Sequence, residues 1–421
     1  MRKLPIKSAL YEYGRRMRQF RPNARYYLLT VAITGIGMGV YRLIFNFYVL
    51  SLGYDEALLG KLITTNQIIA LLLALPMGYA VDRFGRKNGL IARSVLIAVS
   101  VGGVALFPSV AMFYAMNAFF GIAQSISAVT MAPFLMENSG EQERTYLFSF
   151  SSGLMMGSAF VGNWLGGYLP TWIGDWLNIS PTDSAAYSGA LTVTALIAML
   201  GFIPLLFIRV SATQKSARKD FAPLQYAKEN PKTLGKLLIP TMIISVGAGL
   251  FMPFMNIFFR SVHGQSDQVI GTLFAWGSLA MGIGLIIAPP IAERLGKIQF
   301  VVLTQGLAIP FMILLGFAPF AISALAYYAR LALMNMSNPI YQTFVMEQVD
   351  GSVRATVASL YSMVWSFGRA FSPTISGWLQ VEYGFDPVFS IAIFLYISAI
   401  LLYWIFFLRP AKQPFIAVNT P

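Results

Sequence analysis

The chain contains no cysteine and a single histidine, His263. Without cysteine it has no disulfide framework, no thiol nucleophile and no thiolate metal site. The lone histidine has no neighbouring triad candidate, and neither a phosphate-binding loop nor a metal-spaced cluster appears. No catalytic residue, metal or cofactor is therefore expected, and an enzyme is not the reading. Charge is scarce as well: Asp, Glu, Lys and Arg make up 11% of the residues, against about 25% in ordinary soluble domains. Hydrophobic residues reach 57% and mean hydropathy is +0.64, more apolar surface than a water-soluble globule of this length can hide. A membrane receptor or sensor would need a sizeable polar signalling domain, and none is read here.

What is abundant is uninterrupted apolar sequence. Runs long enough to cross a bilayer, roughly 20 residues each, occur at about 26–50, 58–81, 88–107, 110–136, 145–169, 185–208, 237–262, 269–292, 298–316, 319–346, 353–379 and 387–408. Period-two alternation is absent, so the expected fold is an all-α polytopic membrane protein with twelve transmembrane helices, not a barrel. The net charge of +13 does not point to nucleic acid, because of where the basic residues sit. Of the 30 Lys and Arg, all but Lys61, Arg260 and three arginines inside the runs fall in or close to segments on one side of the membrane. This positive-inside distribution puts both termini in the cytoplasm and the protein in the plasma (inner) membrane. Residues 1–25 are basic and lack an apolar core, so they read as a cytoplasmic arm and not as a secretory signal. Six spans over 26–208 and six over 237–408 are joined by a polar cytoplasmic linker, 209–236, and followed by a tail, 409–421. His263 falls in an outer loop, where a solvated ring is expected.

Gly78 to Lys87 reads G-Y-A-V-D-R-F-G-R-K, a charged turn wedged between two apolar runs. Its echo, Ile291 to Lys297, reads I-A-E-R-L-G-K. Asp82, Arg83, Gly85 and Arg86 are answered by Glu293, Arg294, Gly296 and Lys297 at a constant offset of 211. At an offset of 210, Gly37, Gly39, Asn46 and Ser51 reappear as Gly247, Gly249, Asn256 and Ser261. Met136, Glu137, Arg144 and Gly167 likewise reappear as Met346, Glu347, Arg354 and Gly377. The spans therefore divide into two parallel, pseudo-symmetric halves of six helices each.

With these features the chain resembles, over nearly its whole length, transporters of the major facilitator superfamily, whose signature loop matches Gly78 to Lys87. The resemblance implies secondary transport by alternating access. It also implies a latch on the cytoplasmic side, made by Gly78, Asp82, Arg83, Gly85 and Arg86 with the echo residues Glu293 and Arg294. Asp82 would face the start of the eleventh helix near Gly351 and Ser352, a placement that gains a carboxylate about 0.3 to 1 kcal/mol. Glu137 with Arg144, and Glu347 with Arg354, stand at equivalent ends of the fourth and tenth spans and are expected to join this network. The fifth span carries S-x-x-x-G-N-W-L-G-G, close to an antiporter-associated pattern of drug exporters, with Asn163 where that pattern has proline. The eleventh span has the counterpart Gly368 to Gly377 with Pro373 in place. Small residues at spacing four equally serve close helix packing.

The transport path, as the resemblance implies, is lined by the first, fourth, seventh and tenth spans. Their polar residues share faces: Gly35, Gly39, Arg42 and Asn46; Asn117, Gly121 and Gln124; Asn335, Asn338 and Gln342; with Asn256 from the seventh. Tyr41, Phe45, Trp276, Tyr341 and Trp365 are candidates for an aromatic wall. Arg42, Arg330 and Arg369 lie inside spans whose middles hold no Asp or Glu. An arginine at a helix centre costs roughly 2.5 to 3.5 kcal/mol on insertion, so it should face water, carbonyls or an anionic ligand. Proton-coupled members of the family carry an R-x-x-x-G pattern in the fourth span, but here Asn117 stands at the arginine position, and a proton as coupling ion has no evident mid-membrane carrier. The sequence thus reads as a monomeric transporter, surrounded by membrane lipid, of a small anionic or neutral amphipathic molecule. The alternative is a proton-linked multidrug efflux antiporter; a lipid-like substrate and a non-transporting receptor rank lower.

Overall fold

The structure, a computed structural model, describes residues 17, 19–140, 143–209, 230–349 and 353–409. Most of the basic arm, the centre of the linker, the tail and the pair Gly351 and Ser352 lie outside these residues.

Apolar composition drives the chain into helices because only internally hydrogen-bonded backbone can be stable in lipid. The first half contains α1 (Pro22–Ser51), α2 (Glu56–Phe84), α3 (Arg86–Leu106), α4 (Val110–Glu137), α5 (Arg144–Leu177) and α6 (Ser184–Leu200), the last followed by a turn at Ile203–Leu206. The second half contains α7 (Pro231–Phe251), α8 (Asp267–Leu295), α9 (Lys297–Phe317), α10 (Phe320–Glu347), α11 (Arg354–Tyr383) and α12 (Asp386–Tyr403). Among the described residues, nine spans are long and apolar enough by composition alone to cross a membrane. The helices that fall short are α5, α10 and α11, which are rich in small, polar or charged residues.

Local chemistry sets the ends. Asp55 caps α2 by accepting from the Leu58 N–H at 2.8 Å, and Ser109, Asp183 and Ser266 play the same part for α4, α6 and α8. The charged turn and its echo stop α2 and α8 in the same way. Gly85 and Gly296 both adopt φ 89°, a left-handed conformation that side-chain-bearing residues resist.

The helices pair identically in the two halves. α1 packs on α5 and α6 as α7 packs on α11 and α12; α2 lies on α4 as α8 lies on α10; α3 contacts α4 and α6 as α9 contacts α10 and α12. One face of the bundle, the basic face, carries the start of α1, the turns α2–α3 and α8–α9, and the end of α12. The opposite, far face carries the turns α1–α2, α7–α8 and α11–α12.

The halves meet chiefly along α2–α11 and α5–α8. Glycine permits this approach. A Cβ on Gly60 would stand 2.2 Å from the Pro373 carbonyl oxygen, and one on Gly271 would stand 2.7 Å from that of Asn163, so backbones touch where no side chain fits. The fifth-span pattern and its eleventh-span counterpart are packing surfaces: Gly162 and Gly166 lie on α1 and Gly368 on α7 within their own halves, while Gly167 and Gly377 meet the opposite half.

Candidate functional site: a central cavity beneath a closed far face

The seventh helix is where the fold departs from regularity. Pro253 cannot donate to the helical ladder, and after Phe251 the chain passes through a 3-10 turn, Met252–Phe254, before resuming as Met255–Ser261. The break frees the Pro253 carbonyl, which accepts from Asn46 Nδ2 of α1 at 2.8 Å. Asn46 also donates to Asn256 Oδ1 at 2.8 Å, and Asn256 Nδ2 donates to the Leu43 carbonyl at 2.8 Å. Each asparagine thus meets its own repeat and a backbone carbonyl of the opposite half. Expected as cavity residues, Asn46 and Asn256 instead close the roof.

A second tie crosses the far face. Arg260 pairs with Asp267, both from the second half, and Tyr187 of α6 donates to Asp267 at 2.7 Å. The Arg260 guanidinium lies 3.4 Å from the ring centre of Phe47 in α1. Asp267 is the one buried carboxylate among the described residues, and with the charge pair, the phenol and the ring face around it its burial is compensated. Thr374 to Thr64 at 2.8 Å and Gln268 to Thr171 at 3.0 Å complete the seam. Asn163 reaches Ser278 at 3.3 Å nearer the middle.

Beneath this roof lies a cavity of about 250 Å³. Helical spacing selects its walls: Ile63 and Gln67 from α2; Ala248 and Met252 from α7 and the turn that follows it; Leu331, Asn335 and Asn338 from α10; and Trp365, Arg369 and Pro373 from α11. Arg330 and Tyr396 close one side. Arg330 is 3% exposed, so its charge is removed from water. It donates to Tyr396 Oη at 3.0 Å and to the Met252 sulfur at 3.2 Å, and stands 4.4 Å from the Phe251 ring centre. Arg369 stands 5.6 Å from the Trp365 ring centre. The Nε atoms of Arg330 and Arg369 are buried without a hydrogen-bond partner. Arg42 is exposed, as a side chain facing an open cleft must be, and lies close enough to Arg369 for their like charges to interact. No acidic residue lines the cavity.

The expected site residues divide. Asn335, Asn338, Trp365 and Arg369 line the cavity, as do Gln67 and Met252, which were not singled out for it. Arg42 faces the cleft from the other half. Tyr41 is buried, stacked on Phe45 and Phe120 at 5.1 Å each. Asn117 turns back to the Phe113 carbonyl at 2.9 Å, and Gln124 donates to Asn66 at 3.2 Å. Trp276 is half exposed against Phe160, and Gln342 is exposed below the cavity. Tyr341 is buried away from it, donating to the Leu237 carbonyl at 2.7 Å and packed on Tyr403. His263 corrects the expectation of a solvated ring. It packs among Phe258, Phe259 and Phe320, and burial lowers its pKa.

At the basic face the charged residues pair within each half. Arg86, the first residue of α3, holds Glu137, the last of α4, at 2.6 Å, and Lys297 holds Glu347 in the same way. The expected partners are elsewhere: Arg144 donates to Ser139 at 3.4 Å and Arg354 to the Met346 carbonyl at 3.0 Å. Antiparallel neighbours bring Arg86 and Lys297 closer than the next turn of chain brings Arg144 and Arg354. Asp82, Glu293 and Arg294 are exposed, Arg83 lies near Phe84, and Gly78 leaves open space up to Val129 at 3.8 Å. Gly351 and Ser352, the expected target of Asp82, lie outside the described residues. The ion pairs Arg86–Glu137 and Lys297–Glu347 at this face run within a half, not between the halves.

Comparison with known proteins agrees with this architecture. The family model described as Major Facilitator Superfamily matches residues 27–373, and 237–417 match it again. An uncharacterized MFS-type transporter, YxaM of Bacillus subtilis (strain 168), is 24% identical over 386 residues, covering 88% of this chain and 92% of the relative. Multidrug resistance protein MdtG of Dickeya zeae (strain Ech586) is 21% identical over 325 residues, 75% of this chain and 76% of the relative. Among solved structures, nucleoside transporter NupG superposes with a TM-score of 0.75 at 13% identity, covering 91% of this chain and 98% of that one.

Proposed function

The chain belongs to the Major Facilitator Superfamily, and on that premise we propose that this secondary transporter carries a small organic molecule, preferentially an anion, through the central cavity by alternating access. The observation that carries the reading is the charge of the site. Arg42 faces the cleft from one half, Arg330 and Arg369 line the cavity from the other, and no carboxylate accompanies them. In a low-dielectric interior, uncompensated guanidinium groups are costly, and an anionic ligand relieves that cost. A neutral amphipathic molecule fits the mixture of amide, thioether and indole groups, but leaves the charges unmet.

The basic face is read as cytoplasmic from the positive-inside rule, which makes the conformation open to the cytoplasm and closed outside. One chain supplies both halves, so a monomer suffices. Multidrug efflux is the second reading, favoured by the relatives named MdtG. Against it stand the fifth-span glycines, already occupied in packing, and the absence of an acid that would draw cationic drugs.

Reconstitution into proteoliposomes tests the proposal. Uptake or counterflow of organic anions, reduced at least tenfold by Arg42→Ala, is the expected result. Binding without flux would overturn transport, and flux of cations unaffected by that change would favour the second reading.

A further inference from the structure

Trp365 and Arg369 are four residues apart on α11, and both open into the same cavity. The guanidinium stands 5.6 Å from the indole centre, and its Nε is buried without a partner. A π face and a guanidinium whose Nε donor is unmet are therefore side by side, held by one rigid helix. Trp365 is fixed further by its own carbonyl, which accepts from Ser245 of α7.

The rest of the wall is complementary to a flat molecule with a polar edge. Gln67 and Asn338 face the space from opposite halves and have no hydrogen-bond partner among the described residues, whereas Asn335 spends its amide N–H on Leu331 at 2.8 Å. Met252 and Met334 contribute thioethers, which settle against aromatic rings. The volume of about 250 Å³ gives room for one ring and its substituents.

Resting on the anion reading above, we infer that the substrate class is a small aromatic acid, its ring stacked on Trp365 and its carboxylate received by Arg369, with Arg42 supplying the second positive charge. A saturated acid satisfies the guanidinium alone and a neutral arene the indole alone. Only an aromatic acid meets both as one rigid body, so little conformational freedom is lost on binding.

Calorimetric titration of the purified full-length protein with four matched probes tests the inference: benzoate, cyclohexanecarboxylate, benzamide and benzylammonium. Benzoate should bind tightest, with cyclohexanecarboxylate about three- to tenfold weaker, the range expected of one aromatic contact. Benzamide and benzylammonium should be weaker still. Trp365→Leu should abolish the difference between the two acids while leaving cyclohexanecarboxylate unchanged, an outcome that a merely structural tryptophan would not give because both acids would then weaken together. Arg369→Gln should remove the preference of benzoate over benzamide. Equal binding of the two acids, or no binding of any probe, overturns the aromatic inference while anion flux in proteoliposomes still stands or falls separately. Tightest binding of benzylammonium overturns both.

Discussion

The two faces of the bundle spend their polar residues in opposite ways. At the far face the contacts run between the halves: Asn46 with Asn256, Tyr187 with Asp267, Thr374 with Thr64. At the basic face Arg86 with Glu137, and Lys297 with Glu347, brace neighbouring helices inside one half. Each half is thus stiffened at the end where it stands apart, and tied to its partner at the end where they touch. Alternating access needs this division, because a rocking body must be rigid within itself and separable from its neighbour.

The contrast can be broken most forcefully at the glycine seam. A Cβ at Gly167 would fall 2.7 Å from the Asp267 carbonyl oxygen, and overpacking of this kind costs about 1 to 3 kcal/mol. Gly167→Leu should force the far face apart. Because the chain has no cysteine, a single one introduced at Asn335 reports the change: its maleimide labelling from the far side should rise at least tenfold, and unchanged labelling would mean that the seam tolerates bulk.

Removing one roof asparagine should act next most strongly. Asn46→Ala leaves Asn256 with a buried group unsatisfied, at a cost of about 1 to 3 kcal/mol. Adding Asn256→Ala should cost less than a second, independent loss, giving a coupling of about 0.5 to 3 kcal/mol in a double-mutant cycle of denaturation midpoints. Additive losses would contradict the reciprocal contact. At the basic face, Glu137→Gln and Glu347→Gln should each change stability by less than about 1 kcal/mol, since these pairs are solvent-exposed. They should also leave far-side labelling unchanged.

The smallest expected effect is on pH dependence, and it too belongs to the far face. The pKa of His263 is depressed by burial among aromatic rings, so the folded protein favours the neutral ring. The stability this contributes is full above the unfolded value of about 6.5 and is lost as pH falls through that region toward the folded pKa. Melting temperature should therefore decline with acidification in this window, and His263→Gln should flatten that part of the profile.

Much of this fold was legible because the repeat is written in residues whose roles are local. Gly85 and Gly296 stop their helices at the same φ, and the equivalence visible in the sequence is an equivalence of turns. The candidate site was less legible. On α10, Asn335 and Asn338 reach the cavity, but Tyr341 stands about 120° around the helix from Asn335 by helical geometry, which is enough to bury it against Leu237. Glu137 stands near Arg144 in sequence, whereas packing gives it Arg86. The far-face tie had no signal at all, because Tyr187, Arg260 and Asp267 come from separate elements and no motif joins them.

The roof contact has the form of an isologous interface: a residue of one half meets its own equivalent in the other, as in a two-fold homodimer. Such a contact cannot distinguish unlike halves from two copies of the same half. The Arg260–Asp267–Tyr187 tie can, because Leu50 and Phe389 stand at the positions corresponding to Arg260 and Tyr187, so that Glu56, the counterpart of Asp267, has neither the arginine nor the phenol to meet. In terms of assembly, the symmetric asparagine contact lets the halves join, and asymmetric ones such as this cluster record which half is which.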